Sequence, residues 1–474
     1  MLFPSEEFLF VFFPVVVAVY YLLCRKNVLL KNLVLLAASL YFYAWGEPVY
    51  VWMMVAVILL HYGDGFLVGK VFKDGSIGRK LSLAAMITVD VAILFHFKYS
   101  TFSVLQINRF LKTNLPVPLV ALPIGISFFT FQAMSYVIDV YRGTCKVQKN
   151  PFYLGLYIAF FPQLIAGPIV RYETVEEQMV GRKESWELFC NGVARFIVGL
   201  AKKVLLANHM AQVADNAFSM IGGGVFHSTP AMAWLGAITY TLQLYFDFSG
   251  YTDMAIGLGK MFGFVFEENF RYPFVAHNFS DFWRRWHISM QSWFRDYVYF
   301  PMGGSRVKIS GQIFNLFVVW LLTGIWHGAN WTFIAWGLFN FVMISIEKFS
   351  GLSKKKFWWG HIYTLIFWVL GCTVFRADNL GEAVVYIKAM FGLGVSMAGD
   401  HAARTSLIQY AIFYIAAIPA SLPIVPWLKD KVSGNEKAGK RLQAGFALSL
   451  TILFLICVTY ILNNSYSPFI YFNF

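Results

Sequence analysis

His327 lies within a run, 309–346, that holds no Asp, Glu, Lys or Arg. Its neighbours read Thr323-Gly-Ile-Trp-His-Gly-Ala-Asn-Trp331. Lipid solvates an imidazolium poorly, so a histidine at membrane depth is costly and is a functional candidate by default. A ring kept neutral by desolvation carries a lone pair. That lone pair can take a proton from a hydroxyl, or attack as a nucleophile. A second imidazole, His287, sits in Asp281-Phe-Trp-Arg-Arg-Trp-His-Ile-Ser-Met-Gln-Ser-Trp-Phe-Arg-Asp296. On one helix, Trp283, Trp286 and His287 share a face and Arg284 and Arg285 lie off it. Guanidinium groups match phosphate geometry, so these two arginines are candidates to hold a phosphorylated cofactor. Pairing with Asp281 and Asp296 is the plainer reading of the arginines. Alone, His287 reads as a structural histidine; sharing a site with His327 would make it chemical. In Tyr245-Phe-Asp-Phe-Ser-Gly-Tyr-Thr-Asp253, Asp247 and Asp253 are expected to pair with Arg or His, or to cap a helix broken at Gly250. Their expected part is a buried network that positions other groups.

The elements that position these residues are membrane helices. Hydrophobic residues make up 58% of the 474 and charged residues 13%, about half the charge of a soluble domain. Apolar runs fall at 8–23, 28–45, 49–61, 81–97, 120–137, 152–166, 231–245, 313–326, 331–346, 357–375, 407–426 and 446–462. Several are shorter than the ~20 residues a spanning helix needs, so some are expected to be re-entrant or broken. The expected fold is an all-α polytopic membrane protein of about 10–12 crossings. The block 281–296 carries too much charge to span and reads as an amphipathic or re-entrant helix at the interface. Phe161-Pro-Gln-Leu-Ile-Ala-Gly-Pro-Ile-Val-Arg171 places two prolines and a glycine in an apolar run, which predicts a kink or a break.

The formal charge is +13, from 38 Lys+Arg against 25 Asp+Glu. The excess reads as the positive-inside rule and not as nucleic-acid binding. Clusters at Arg25/Lys26/Lys31, Lys70 to Lys80, Arg142/Lys146/Lys149, Lys354 to Lys356 and Lys429 to Arg441 all fall on one side if the N-terminus is outside. The C-terminal Ser467-Pro-Phe-Ile-Tyr-Phe-Asn-Phe474 is then outside as well, and its aromatics predict a docked or interfacial tail. Glu6 and Glu7 replace a basic leader, so the first apolar run is expected to persist in the mature chain.

The five cysteines are scattered without a CxxC and read as apolar fillers. His61 and His96 read as span-end residues, and His209, His227, His277, His361 and His401 as loop or interface residues. No two histidines have the i, i+4 spacing of a helical metal pair, so no metal is expected. There is no repeat of 20–50 residues, Rossmann fingerprint or P-loop.

Together with Pro123-Ile-Gly-Ile-Ser-Phe-Phe-Thr-Phe-Gln132, these blocks resemble the membrane-bound O-acyltransferase (MBOAT) family. Within it, the chain is most similar to the bacterial alginate O-acetyltransferase branch. The resemblance implies one membrane acyltransferase domain over 1–474, with N-terminal spans in 1–150, a catalytic region in 151–350 and C-terminal spans in 351–474. It implies a helical bundle with a central funnel or tunnel, where His327 matches the essential histidine and His287 the second one. It also implies a cytosolic thioester donor such as acetyl-CoA, an extracytoplasmic polysaccharide acceptor and a bacterial inner-membrane location. An SGNH-type partner or an acyl-carrier protein is a common accessory in the family. On this reading His327 is the base or is briefly acylated, and His287 polarises the thioester carbonyl or orients the acceptor. Arg284 and Arg285 are candidates for the phosphates of coenzyme A. Asn330 and the indoles of Trp326 and Trp331 are candidate hydrogen-bond donors. Two alternatives stand beside it: teichoic-acid D-alanyl transfer, and a transporter or flippase using the histidine as a proton relay.

Overall fold

The computed structural model describes residues 1–24, 27–222, 229–355, 357–395, 399–432, 436–463 and 466–470. Arg25, Lys26, His227, Lys356 and residues 471–474 of the tail lie outside the described residues. Among the described residues every regular element is helical. Six helices among the described residues are long and apolar enough to cross a membrane: Val28–Gly46, Tyr50–Val71, Ile77–Leu111, Ile309–His327, Trp331–Ser350 and Arg441–Asn463. Glu7–Leu23, Gly360–Arg376 and Ala411–Ser421 are shorter apolar helices. The chain is therefore a multi-pass membrane protein. It forms two compact units, one of Met1–Phe196 with Thr252–Glu267, the other of Ile197–Tyr251 with Glu268–Phe474.

In the first unit, helices outrun the apolar runs that announce them. The run ending at His61 continues as helix to Val71 because its polar residues find partners inside. Asp64 accepts a hydrogen bond from Ser82. His61, expected at a span end, is fully buried. Its Nδ1 meets the Val57 carbonyl at 2.8 Å and its Nε2 meets Asp90 at 3.1 Å. Lys31 belongs to a cluster read as cytoplasmic surface charge, yet it is buried against Glu184 at 2.5 Å. Arg182 donates to Tyr20 and Asn32 beside it.

Two of the sequence blocks meet in this unit. The expected span at 120–137 starts as helix only at Ile126, because Pro116, Pro118 and Pro123 hold the preceding stretch out of the helical region. Gly125 turns the chain at φ +74°, and a Cβ there would lie 2.7 Å from the carbonyl oxygen of Leu164. Leu164 ends the four-residue helix Phe161–Leu164, inside the 161–171 stretch where the sequence predicts a kink or break. Gln163 donates to the Tyr157 carbonyl at 2.5 Å, and the Tyr157 hydroxyl donates to the Val170 carbonyl at 2.9 Å. Side chains thus satisfy backbone that the prolines release.

In the second unit, Ile309–His327 and Trp331–Ser350 form a tight antiparallel hairpin. Asn330 starts the second helix by accepting the Thr332 N–H at 3.2 Å, as an N-cap does. The helix Pro230–Met261 gives residues to both units and runs unbroken through Gly250, which removes the helix-capping alternative for Asp247 and Asp253. A Cβ at Gly250 would stand 2.8 Å from the Gly199 carbonyl, so this glycine serves close packing. Asp247 pairs with a lysine, Lys203, at 2.7 Å, both nearly fully buried. Asp253 pairs with Arg195 at 2.6 Å within the first unit. The tail docks as its aromatics predicted: Ile470 N–H donates to Asp247 at 2.9 Å and Phe469 packs on Tyr251 at 5.1 Å.

Candidate active site

The block 281–296 is not one helix. It forms Phe279–Trp283, a turn, and Ile288–Phe294, with His287 between them in the left-handed region at φ +46°, ψ +52°. Trp283, Trp286 and His287 are buried, while Arg284 and Arg295 are exposed. Glu347 explains the first turn. Its buried carboxylate accepts the N–H groups of Phe279 at 2.6 Å and Ser280 at 2.8 Å, and the Ser280 hydroxyl at 2.8 Å. An anion at a helix start satisfies otherwise orphaned donors. Asn340 accepts the Trp283 indole N–H at 3.0 Å. Trp283 packs on Trp320 at 4.7 Å, and Phe282 on Trp368 at 4.1 Å.

His327 ends its helix and is 5% exposed. Its Nδ1 lies 2.7 Å from the Thr323 carbonyl oxygen, which only accepts. Nδ1 therefore carries the ring proton, and in the neutral ring Nε2 carries the lone pair. Trp336, Trp326 and Phe375 surround the ring at 4.8, 5.0 and 5.5 Å. Trp326 also reaches His287, at 6.0 Å between ring centres. The two histidines predicted from separate blocks thus flank one indole in one unit. Burial holds the His287 imidazole well below its ordinary range, and the nearby His327 pushes in the same direction.

The other candidates are placed differently. Arg285 donates to Asp281 at 3.0 Å and to the Arg271 carbonyl at 3.3 Å. Asn330 spends its amide N–H on the Asp378 carbonyl at 2.8 Å besides capping its helix. Trp331 is 41% exposed. Asn330 and Trp331 are thus at the hairpin turn. Among the described residues no three His, Cys, Asp or Glu side chains gather as a metal site. Sequence reasoning passed over Glu347, Asn340 and Asn269. Glu347 alone carried a signal, as the acid that ends the charge-free run.

A family model for "MBOAT, membrane-bound O-acyltransferase family" matches residues 87–379, more than half the chain and both histidines. The chain belongs to the MBOAT family. It is accordingly an acyltransferase, and an acyl donor is part of its chemistry. Relatives cover the whole chain. It is 37% identical over 496 residues to the "Probable alginate O-acetylase AlgI" of Pseudomonas putida, with all of both chains covered. The protein of the same name in Pseudomonas aeruginosa is 35% identical over 532 residues, again with both chains covered fully. A peptidoglycan O-acetyltransferase of Helicobacter pylori is 33% identical over 521 residues, covering all of this chain and 98% of that one. In MBOAT terms, acyl transfer to a hydroxyl needs a base for the hydroxyl proton and exclusion of water from the activated acyl group. Around His327 the walls are Trp326, Trp336 and Phe375.

Proposed function

We propose that this protein moves an acetyl group from acetyl-CoA in the cytosol to hydroxyls of an extracytoplasmic polysaccharide, with alginate as the first candidate. The observation that supports this chemistry is the Nδ1–Thr323 contact of 2.7 Å, which puts the ring proton on Nδ1 and favours Nε2 of His327 as the base. Full-length similarity to proteins named as O-acetyl-transferring enzymes supports acetyl as the group and a polysaccharide as the acceptor class.

The step balances simply. The acceptor oxygen bonds to the thioester carbonyl carbon while its proton passes to Nε2 of His327. The carbon–sulfur bond then breaks, and the departing thiolate takes that proton. No nucleotide is consumed, because the thioester is already activated. His287 polarises the carbonyl or orients the acceptor. Arg284, exposed on the turn before His287, is the guanidinium placed to receive a phosphate, since Arg285 is already held by Asp281. The two compact units act as one acyltransferase domain in the bacterial inner membrane, with both termini extracytoplasmic. A funnel from each side brings donor and acceptor to His327, and an SGNH-type or acyl-carrying partner completes delivery.

The test is thioester consumption by purified protein in lipid nanodiscs, given labelled acetyl-CoA and an oligosaccharide acceptor with its partner protein. Acetyl should appear on the acceptor. His327→Ala, at equal folded abundance, should lower turnover on the order of 10²-fold or more. Normal turnover in that variant removes the proposed role, and an intact thioester with transported substrate favours a transporter.

A further inference from the structure

Asn269 was not singled out by any motif, yet it is the polar residue that holds His287. It is 1% exposed. Its side-chain oxygen lies 3.3 Å from His287 Nδ1, 3.1 Å from the Ser289 N–H and 3.0 Å from the Ser289 hydroxyl. A backbone N–H can only donate, so the amide atom facing these groups is the oxygen. The Asn269 carbonyl accepts the Ile288 N–H at 3.0 Å, which ties both sides of the turn. His287 keeps a left-handed backbone that a non-glycine residue adopts only when its surroundings enforce it. Its other nitrogen, Nε2, is buried with no hydrogen-bond partner among the described residues. Phe248 faces the ring edge-on at 4.6 Å and Trp326 at 6.0 Å, and the titratable group that reaches it is His327.

We infer that Asn269 is a positioning residue that locks His287 as the Nδ1–H tautomer, so that His287 receives a hydrogen bond from the acceptor instead of donating one to the thioester carbonyl. This rests on the acyl-transfer reading above and chooses between the two roles left open there. The chemistry is one of matching donors. A thioester carbonyl and its sulfur only accept, and a lone pair offers them nothing. An acceptor alcohol carries O–H donors. With His327 taking the proton of the reacting hydroxyl, the O–H that His287 receives is a second one, such as the neighbouring hydroxyl of a sugar ring. Burial supports the same assignment, because a neutral His287 is the form that keeps Nε2 as an acceptor.

The experiment uses the full-length protein in nanodiscs with ¹⁵N-labelled histidine. The His287 signal is identified by its loss in His287→Gln. The expected wild-type spectrum shows protonated Nδ1 and unprotonated Nε2. Asn269→Leu should mix the tautomers and lower acetyl-CoA consumption about tenfold or more. Asn269→Asp should keep the tautomer but favour the imidazolium, moving the acid limb of the pH–rate profile up by about one unit or more. Protonated Nε2 in the wild type would overturn the inference. So would a folded Asn269→Leu protein whose rate falls while its His287 signals stay unchanged, since that outcome is packing alone. If the wild type leaves acetyl-CoA intact, the acyl-transfer reading fails, and with it the proposed partner of Nε2. The nitrogen spectrum still decides the tautomer on its own.

Discussion

Thr323 and Asn269 do for His327 and His287 what an orienting carboxylate does for a catalytic histidine, with neutral oxygens in place of a charge. A carboxylate would stabilise the imidazolium; an amide or peptide oxygen fixes the tautomer without doing so. This has a consequence for pH. Burial depresses the proton affinity of His287 in the folded chain, while the unfolded chain binds that proton near the ordinary histidine value of about 6.5. Between the folded and unfolded values the unfolded state holds more protons, so stability rises with pH there and falls as pH drops below about 6.5. Thermal unfolding between pH 5 and 8 should show that slope, and His287→Gln should flatten it. A slope unchanged in that variant would show that other groups set it. His327 was legible as a residue because its chain neighbours hold no charge. Asn269 was not, because an asparagine 18 positions before a histidine has no periodic relation to it.

At the scale of elements, the buried Lys203–Asp247 pair joins the helix containing Lys203, the helix Pro230–Met261 and the tail. Lys203 donates to the Pro468 carbonyl, and Asp247 accepts from Ile470. Tyr466 and Arg376 meet on Asp215, at 2.5 and 2.9 Å. Removing one partner strands a buried charge. Lys203→Met should therefore cost about 3–5 kcal/mol, and Lys203→Met with Asp247→Leu should cost less than that single change. Denaturation of the purified variants measures both; equal losses would mean that the tail, and not the charge pair, carries the stability. The sequence pointed to Asp247 as a member of a buried network but named the wrong partner type. Lysine was passed over because the adjacent Lys202 and Lys203 read as surface charge. The same habit hid Lys31. The 281–296 block failed as a single helix for a related reason: helical spacing was satisfied, but Glu347 and Asn269 supply acceptors that favour two short turns with a strained residue between them.

For the whole molecule, orientation in the membrane is the open quantity that charge alone proposes. An outside N-terminus puts Asn114 outside and Lys73 in the cytoplasm, on either side of the helix Ile77–Leu111. Both side chains are exposed. Cys190 is an exposed native thiol, so Cys190→Ser makes the background for labelling. A membrane-impermeant maleimide applied to intact cells should then modify Asn114→Cys and leave Lys73→Cys untouched. The reverse pattern would invert the proposed topology and place the acetyl donor on the other face.

By itself the sequence determined that the chain lives in a membrane, that it is helical, and that one histidine, His327, sits in a run without charge. These follow from composition and short-range spacing, since an apolar run of sufficient length has no other way to satisfy its backbone. The tertiary structure alone decided what each buried polar group bonds to: Asn269 with His287, Glu347 with the turn at Phe279, Lys203 with Asp247, and one indole, Trp326, beside both rings. The hydrogen-bonded and charged pairings join residues 18 or more positions apart, where helical period carries no information. They arise because a buried donor or acceptor must find its complement among whatever the packing brings near.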